Sequence, residues 1–370
     1  MSNIIDLFSG CGGMSLGFKW AGFNPVIAVE KDEWAAETYA YNFPTTRVYI
    51  EDITQMTDLS NLDDGIIIDG ILSGSPCQSF SLSGKRDKND PRGSLFMDFV
   101  RFVKYFQPKF CLMENVNGIL SMQTMKGEKV KDIIEKEMTG AGYDVTIYRL
   151  HAEDFGVPQA RPRVFFIGFR KDLNIKNFEI KPTIGDKPVV TVADAIMDLP
   201  QIKAKEGSEE MDYPREPMNE YQAFMRQNSN KVYNHIAMRH TDRIVERFKH
   251  IKCGQSESDV DAKYGPRQRG DAKRVSGKSF GQNSYRPYPD KPSPTIPASF
   301  QSNFIHPYLD RNYTPREGAR LQSFPDDFIF KGKRMSMSWE KNLNQYHQIG
   351  NAVPPLLAKG IAEQIYSVIS

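Results

Sequence analysis

Asn3-Ile4-Ile5-Asp6-Leu7-Phe8, followed by Ser9-Gly10-Cys11-Gly12-Gly13, is the stretch that decides the fold. The first six residues form an apolar run of strand length, and a helix follows the glycines from Met14. A glycine turn between strand and helix lets backbone N–H groups approach a ligand closely near the helix N-terminus. The dinucleotide pattern G-x-G-x-x-G is not met, because Ser15 occupies its last position. Taken alone, the stretch could equally be a tight turn without a ligand.

Working outward, apolar runs at Val26–Val29, Ile66–Leu72, Phe110–Met113, Tyr143–Leu150 and Val164–Gly168 read as strands. Helical patterns at Glu33–Asn42, Leu95–Phe106 and Lys129–Gly140 lie between several of them. This alternation predicts an α/β domain with a mostly parallel sheet and helices on both faces. Ligands of such sheets bind beyond the carboxyl ends of the strands. Glu30 ends the second strand, where its carboxylate could accept from ribose hydroxyls, and Asp52 follows the next apolar run, within reach of an adenine amino group. A turn, a Glu and an Asp at three adjacent strand ends favour a nucleoside site over three separate caps.

Ser73-Gly74-Ser75-Pro76-Cys77-Gln78 then places Cys77 at a strand exit, where nucleophiles of α/β enzymes are exposed. The following Ser81–Gly93 stretch is rich in Gly and Ser and carries Lys85, Arg86, Lys88 and Arg92, the composition of a basic lid over a polyanion. Positive charge nearby would favour the thiolate. The bland alternative is a buried cysteine before a solvated loop. Met113-Glu114-Asn115-Val116 puts a carboxyl at a further strand end. In Gln159-Ala160-Arg161-Pro162-Arg163 the two arginines are two apart, so on one strand they would share a face and could enter one site, or merely form a salt bridge.

After about residue 170 the chain turns rich in Pro, Lys, Arg, Asn and Ser, with short apolar runs. Thr241–Ile251 is its clearest helix, with Ile244, Phe248 and Ile251 on one face and Arg243, Arg247 and Lys249 left for solvent or phosphate. Lys263–Arg274 mixes Arg267, Arg269 and Gln268 with turn residues, side chains that can read guanine and adenine or simply touch phosphates. His235, Arg239 and His240 admit the same two readings. From His347 a helical pattern returns, with Leu356, Leu357, Ile361 and Ile365 at core spacing.

Formal net charge is +2, so a nucleic-acid partner must be met by local basic patches. The four cysteines (Cys11, Cys77, Cys111, Cys253) form no C-x-x-C pair, which argues against a zinc site or disulfides and fits a reducing interior. The amino terminus lacks the pattern of a signal peptide, and no run approaches the roughly 20 apolar residues of a membrane helix.

In this order, Asp6–Gly13, Pro76-Cys77-Gln78, Glu114-Asn115-Val116, Gln159-x-Arg161-x-Arg163, Arg316-Glu317-Gly318-Ala319-Arg320 and Gln348-Ile349-Gly350-Asn351-Ala352-Val353 resemble the cytosine-5 DNA methyltransferases of the single-chain bacterial or phage type. The resemblance spans nearly the whole chain except the middle of its variable region. It implies a Rossmann-like S-adenosylmethionine-dependent catalytic domain over residues 1–178, an irregular target-recognition domain over 179–340, and a helix in 341–370 returning to the first domain. It implies methyl transfer from S-adenosyl-L-methionine to C5 of a flipped-out cytosine, with Cys77 as nucleophile, Glu114 at N3 and N4, and Arg163 at O2, supported by Arg161. Phe8, Gly10, Gly12, Gly13, Glu30, Asp52, Pro76, Leu95, Asn351 and Val353 would form the cofactor site. Gln78, Ser83, Lys85, Arg86, Arg267, Arg269, Thr295 and Ile296 would contact DNA, although Ile296 stands where the family usually has Leu. The implied partner is double-stranded DNA in a bacterial or phage-infected cytoplasm, the enzyme acting as a monomer beside a cognate restriction endonuclease, where one exists. A tRNA methyltransferase on the same scaffold lacks support, since no Cys-Phe-Thr segment occurs. A silent DNA-binding subunit is disfavoured by the full catalytic set, and an oxidoreductase by the glycine spacing.

Overall fold

The computed structural model describes residues 2–75, 95–124, 127–267, 281, 283–337 and 339–370, together with the backbone of 268 and 271–275. Pro76, Cys77, Gln78, Ser83, Lys85, Arg86 and Arg269 lie outside the described residues. In chain order the elements are β1 Ser2–Leu7, α1 Gly13–Trp20, β2 Phe23–Glu30, α2 Glu33–Asn42, β3 Arg47–Ile50, β4 Gly70–Ser73, α3 Leu95–Phe106, β5 Phe110–Val116, α4 Val130–Gly140, β6 Tyr143–His151, β7 Gln159–Ala160 and β8 Pro162–Arg170. They continue with α5 Val192–Ile196, β9 Gly207–Met211, α6 Glu220–Arg226, β10 Val232–Ile236, α7 Asp242–Lys249, β11 Arg267–Gln268, β12 Asp271–Val275, β13 Ser293–Pro294, α8 Phe300–Asn303, α9 Pro315–Leu321, α10 Gln345–Asn351 and α11 Pro355–Ile369.

Two compact units emerge, one of Met1–Phe155, Pro162–Gly185 and Ala352–Ser370, the other of Gly156–Arg161 and Asp186–Asn351. The transitions therefore fall at 185/186 and 351/352, later than the expected 178/179 and 340/341, and β7 belongs to the second unit. Lys181 explains the first difference: its backbone N–H and C=O both bond the Gln364 amide on α11, at 2.8 and 3.0 Å, so the chain stays on the first unit past 178.

The first unit holds a seven-stranded sheet among the described residues, ordered β3-β2-β1-β4-β5-β8-β6. Strands β1 to β5 pair in parallel, and β8 runs antiparallel to both β5 and β6. The strand order reverses between β1 and β4, the place where α/β sheets bind ligands. Ile5 and Leu7 face one layer with α3 and α4, where Phe99, Phe102, Ile134 and Met138 close the core. The opposite face carries α1 and α11 over Phe18, Phe23, Phe110 and Tyr366, whose rings lie 5.2 to 6.0 Å apart in successive pairs. A side chain on Gly17 of α1 would come within 2.4 Å of the Pro355 carbonyl and 2.5 Å of Ala358 Cβ, so glycine sets how closely α1 and α11 approach. Leu357, Ile361 and Ile365 are fully buried in that contact, whereas Leu356 is only partly so.

Strands β5 and β8 run past their expected bounds, and β2 and β4 differ further. β2 is longer than Val26–Val29 and contains Pro25, which has no N–H to donate; the β1–β2 register shifts between Ile4 and Ile5, skipping Val26. β4 begins only at Gly70, and Ile66 and Ile67 are exposed. Asp69 ends the preceding loop by accepting from Asn3 N at 2.9 Å while its own N–H donates to the Asn3 carbonyl at 2.8 Å.

Among the described residues the second unit has three two-stranded sheets, β10-β9, β11-β12 and β13-β7, among short helices. So little ladder leaves many loop carbonyls without strand partners, and buried arginines supply the donors. Arg286 donates to the carbonyls of Phe248, Ile251, His306 and Leu309 and to Asp310. Arg316 donates to Tyr233, Pro325 and Phe328. Arg311 forks onto Glu317 at 2.6 and 2.7 Å, and Arg320 forks onto Asp326. Helix α7 forms where expected, with Phe248 and Ile251 packed on Ile305. Arg247 is not left for phosphate: it is buried, with Nε 2.7 Å from the Tyr264 carbonyl.

His235 and His240 are likewise buried rather than presented to DNA, while Arg239 is exposed. Burial pushes the imidazoles of His235 and His240 down to about 4 and that of His306 to about 3, with Arg311 adding to the effect. His306 Nδ1 accepts from Tyr308 N and Leu309 N, both at 3.1 Å, so protonating it breaks two bonds. These groups are neutral in the folded unit but titrate near 6.5 when unfolded, so their contribution is whole above 6.5 and is lost as pH falls toward 4. By pH 5 each imidazole is expected to cost about 2 kcal/mol. Asp6 in the first unit has the opposite sign, since burial raises its carboxyl to about 7. The readout must therefore be local. Hydrogen exchange, corrected for intrinsic rates, should show protection falling around these three histidines between pH 6.5 and 5; flat protection there would refute the assignment.

Candidate active site

At the end of β1 the backbone changes hand. Phe8 adopts φ 55°, Gly10 54° and Gly12 95°, and α1 starts immediately after, at Gly13. A non-glycine residue at positive φ is strained, and such strain concentrates at ligand sites. Gly12 is required twice over, by its φ and because a Cβ there would sit 2.6 Å from the Phe43 ring. Beneath the turn, the Tyr39 hydroxyl donates to Ser15 Oγ at 2.7 Å, and Ser15 donates to Asp6 at 2.6 Å. Glu30 clamps the turn from β2, accepting from Gly10 N at 2.9 Å and from Asp32 N at 2.8 Å. Burial raises the Glu30 carboxyl above its ordinary range, the penalty that hydrogen-bond donors from a ligand would relieve.

Asp52 follows β3 and caps the 3-10 turn Ile53–Gln55, accepting from Thr54 N at 3.1 Å and Thr54 Oγ1 at 2.8 Å. Partial desolvation opposes its ionisation, but Thr54 and Lys31 prevail and hold its carboxyl below the usual range. Leu95 opens α3 and packs, with Phe8, on the core of this face. The left-handed turn, the buried Glu30 and the ionised Asp52 stand at successive strand ends β1, β2 and β3. They fit an adenosine-bearing ligand, with donors and an open glycine turn at one end and a carboxylate at the other.

On the other side of the switch point, Gly74 N still bonds Leu7 O at 3.3 Å as the chain leaves β4. Asn115 Nδ2 then donates to the Ser75 carbonyl at 3.3 Å, so β5 fixes the chain two residues before Cys77 in sequence. Glu114 and Arg163 are diagonal neighbours across the β5–β8 ladder, where Glu114 faces Phe165 and Val116 faces Arg163. Arg163 Nε lies 3.0 Å from Glu114 Oε1, with both side chains largely buried. Arg163 Nη1 donates to the Pro162 carbonyl at 2.8 Å, and its Nη2 carries no hydrogen bond among the described residues.

A family profile described as C-5 cytosine-specific DNA methylase matches residues 2–367. The chain belongs to this family. The Type II methyltransferase M.DdeI of Desulfomicrobium norvegicum is 57% identical over 366 residues, 98% of this chain and 88% of that protein. The Type II methyltransferase M1.HphI of Haemophilus parahaemolyticus is 38% identical, covering 98% of this chain and 86% of that one. Among solved structures, a prophage-encoded E. coli protein described as a DNA modification methyltransferase superposes with TM-score 0.77 at 30% identity, covering 100% and 99% of the two chains. The methylase is thus a DNA cytosine-5 methyltransferase whose methyl donor is S-adenosylmethionine. Among the described residues no helix is long and apolar enough to cross a membrane, and no His, Cys, Asp and Glu cluster could hold a metal.

Other expected site residues of the methylase fall differently. Arg161 does not share a strand face with Arg163, because the extended run is interrupted at Arg161 between β7 and β8. Its buried guanidinium donates instead to the carbonyls of Ile296 at 2.8 Å and Gly350 at 3.0 Å, a structural brace within the second unit. Ile296 is fully buried, so its side chain offers nothing to DNA, and the Thr295 hydroxyl is engaged by Ala160 O at 2.8 Å. Gln159, quoted in the motif but given no role there, organises this corner by accepting from Ile296 N and donating to Leu321 O and Gln322. Its polarity in an extended run was the available signal. Arg267 opens the β11–β12 ribbon and donates to the Lys263 carbonyl at 3.2 Å. Asn351 ends α10 and is exposed, whereas Val353 is buried before α11.

Proposed function

We propose that this methylase is a sequence-specific Type II modification enzyme that flips a cytosine from duplex DNA and attacks it with the Cys77 thiolate. The observation that carries the reading is the Glu114–Arg163 pair at the carboxyl end of β5, held at 3.0 Å beside the strand exit that leads to Cys77. Cytosine C5 is a poor nucleophile. Adding sulfur to C6 forms an S–C6 bond, pushes electrons toward C5 and N3, and makes C5 electron-rich. A proton shared between Glu114 and N3, with the Arg163 guanidinium at O2, opposes the charge that builds on the ring. S-adenosylmethionine, when bound, supplies the electrophilic methyl group. Loss of the C5 proton to a base, water being one choice, then lets the C6–S bond break and returns the thiolate.

Phe8, Gly10, Gly12, Gly13, Glu30, Asp52 and Leu95 are the residues suited to the cofactor's adenosine and backbone-facing parts, with Pro76, Asn351 and Val353 completing the site. Flipping costs a few kcal/mol, which contacts of the basic Ser81–Gly93 stretch to phosphate would offset. The β11–β12 ribbon, with Arg267 and Arg269, is suited to the major groove, which admits a two-stranded ribbon. The natural setting is a bacterial or phage-infected cytoplasm, with a monomeric enzyme whose cognate endonuclease acts separately on the same DNA. Bisulfite sequencing of plasmid from a methylation-deficient host expressing the chain tests this. Protected cytosines in one short recurring context are expected. Protection without sequence context would overturn the specificity, and none from folded protein would overturn the DNA substrate.

A further inference from the structure

Arg101 lies in α3 outside every group assigned above, yet its guanidinium is almost wholly occupied by one turn of another element. Nη1 donates to the Met56 carbonyl at 2.6 Å and Nη2 to the Ile53 carbonyl at 2.9 Å. Asp98, one turn earlier on α3, accepts from Nε at 3.3 Å and from Nη2 at 2.9 Å and so fixes the fork's orientation. The two carbonyls belong to the first residue of the 3-10 turn that Asp52 caps and to the residue that ends it. A short 3-10 turn has little hydrogen bonding of its own to hold its shape. The turn's own bonds are Gln55 N to the Asp52 carbonyl at 2.8 Å and Met56 N to the Ile53 carbonyl at 3.3 Å, and the Asp52 carboxylate is held by Thr54 and an exposed Lys31 contact at 3.7 Å. The same helix carries Leu95, so Arg101 connects two expected walls of the adenosine site.

We infer that Arg101 is a positioning residue for S-adenosylmethionine, setting the distance between Asp52 and Leu95 without touching the cofactor. The inference rests on the assignment of Asp52 to the adenine. Planarity matters here, because one fork reaches two carbonyls and a carboxylate, whereas a lysine ammonium satisfies fewer of them at once. A purely structural arginine would affect melting temperature and leave ligand affinity alone. Loss of a positioning arginine lowers ligand affinity as well.

The test uses the full chain and calorimetric binding of S-adenosylhomocysteine, so that it does not depend on turnover. Arg101→Gln should raise Kd about tenfold and Arg101→Lys by less, while kcat at saturating methyl donor stays within about twofold. Asp52→Asn serves as the control for the underlying assignment and should also raise Kd. Because Arg101 acts through the turn that holds Asp52, the double variant should bind no more weakly than Asp52→Asn within about twofold. Unchanged Kd in both Arg101 variants, or full additivity in the double variant, overturns the positioning role while leaving Asp52 in place. Unchanged Kd in Asp52→Asn overturns the Asp52 assignment itself, and the inference falls with it.

Discussion

Replacing Cys77 with serine will abolish methylation, lowering single-turnover rates by about 10⁴-fold or more, while Kd for duplex DNA stays within about twofold. A serine hydroxyl is not ionised near neutral pH, so it cannot add to C6 as a thiolate does, and without that addition C5 remains unreactive. DNA affinity comes mainly from phosphate contacts, which the substitution does not touch. Transfer of labelled methyl groups measures the first effect and gel mobility the second. DNA carrying 5-fluorocytosine adds a third readout. Fluorine cannot leave as a cation, so wild-type enzyme should remain covalently attached to it and Cys77→Ser should not. Turnover within tenfold of wild type would remove Cys77 from the mechanism.

The second large effect is expected from Glu114→Gln. The amide keeps the shape of the side chain and can still contact Arg163 Nε, now 3.0 Å from Glu114 Oε1. It has no transferable proton for N3, and it no longer balances the arginine. Loss of a positioned proton donor in a largely buried site typically costs 10² to 10⁴ in rate, so kcat should fall about 10³-fold. Cofactor affinity should be unaffected, because the Phe8–Gly13 turn is clamped by Glu30 rather than by Glu114. A near-wild-type kcat would refute the acid role of Glu114.

The sheet was legible in the sequence because its signals are local. Strand β1, its glycine turn and α1 each follow from a few adjacent residues, and the carboxylates at Glu30, Asp52 and Glu114 stand where strand ends were expected. Direction was less so. Nothing in Val164–Gly168 distinguishes an antiparallel β8 from a parallel one, and only its pairing with β5 brings Arg163 to Glu114. Arg161 misled because spacing by two implies a shared face only while the strand is continuous. The second unit was least legible for a chemical reason. Arg247, in a Pro-rich, polar stretch, read as facing solvent or phosphate, yet it is buried, and so are Arg286, Arg311, Arg316 and Arg320. Guanidinium groups there do the work that backbone ladders do in the first unit, and a sequence does not separate the two uses.

The contact of α1 with α11 has a consequence in time. Gly17 meets Pro355 and Ala358, so the helix that follows the glycine turn is covered by a segment synthesised long after it. While the intervening chain is being made, the α1 face of the sheet, with Phe18 and Phe23, has no lid. Translation therefore imposes a delay on closing this layer. A ribosome-bound chain that has not yet released α11 holds an unfinished core on the α1 face of the sheet. Nascent chains should accordingly stay protease-sensitive around α1 until α11 emerges.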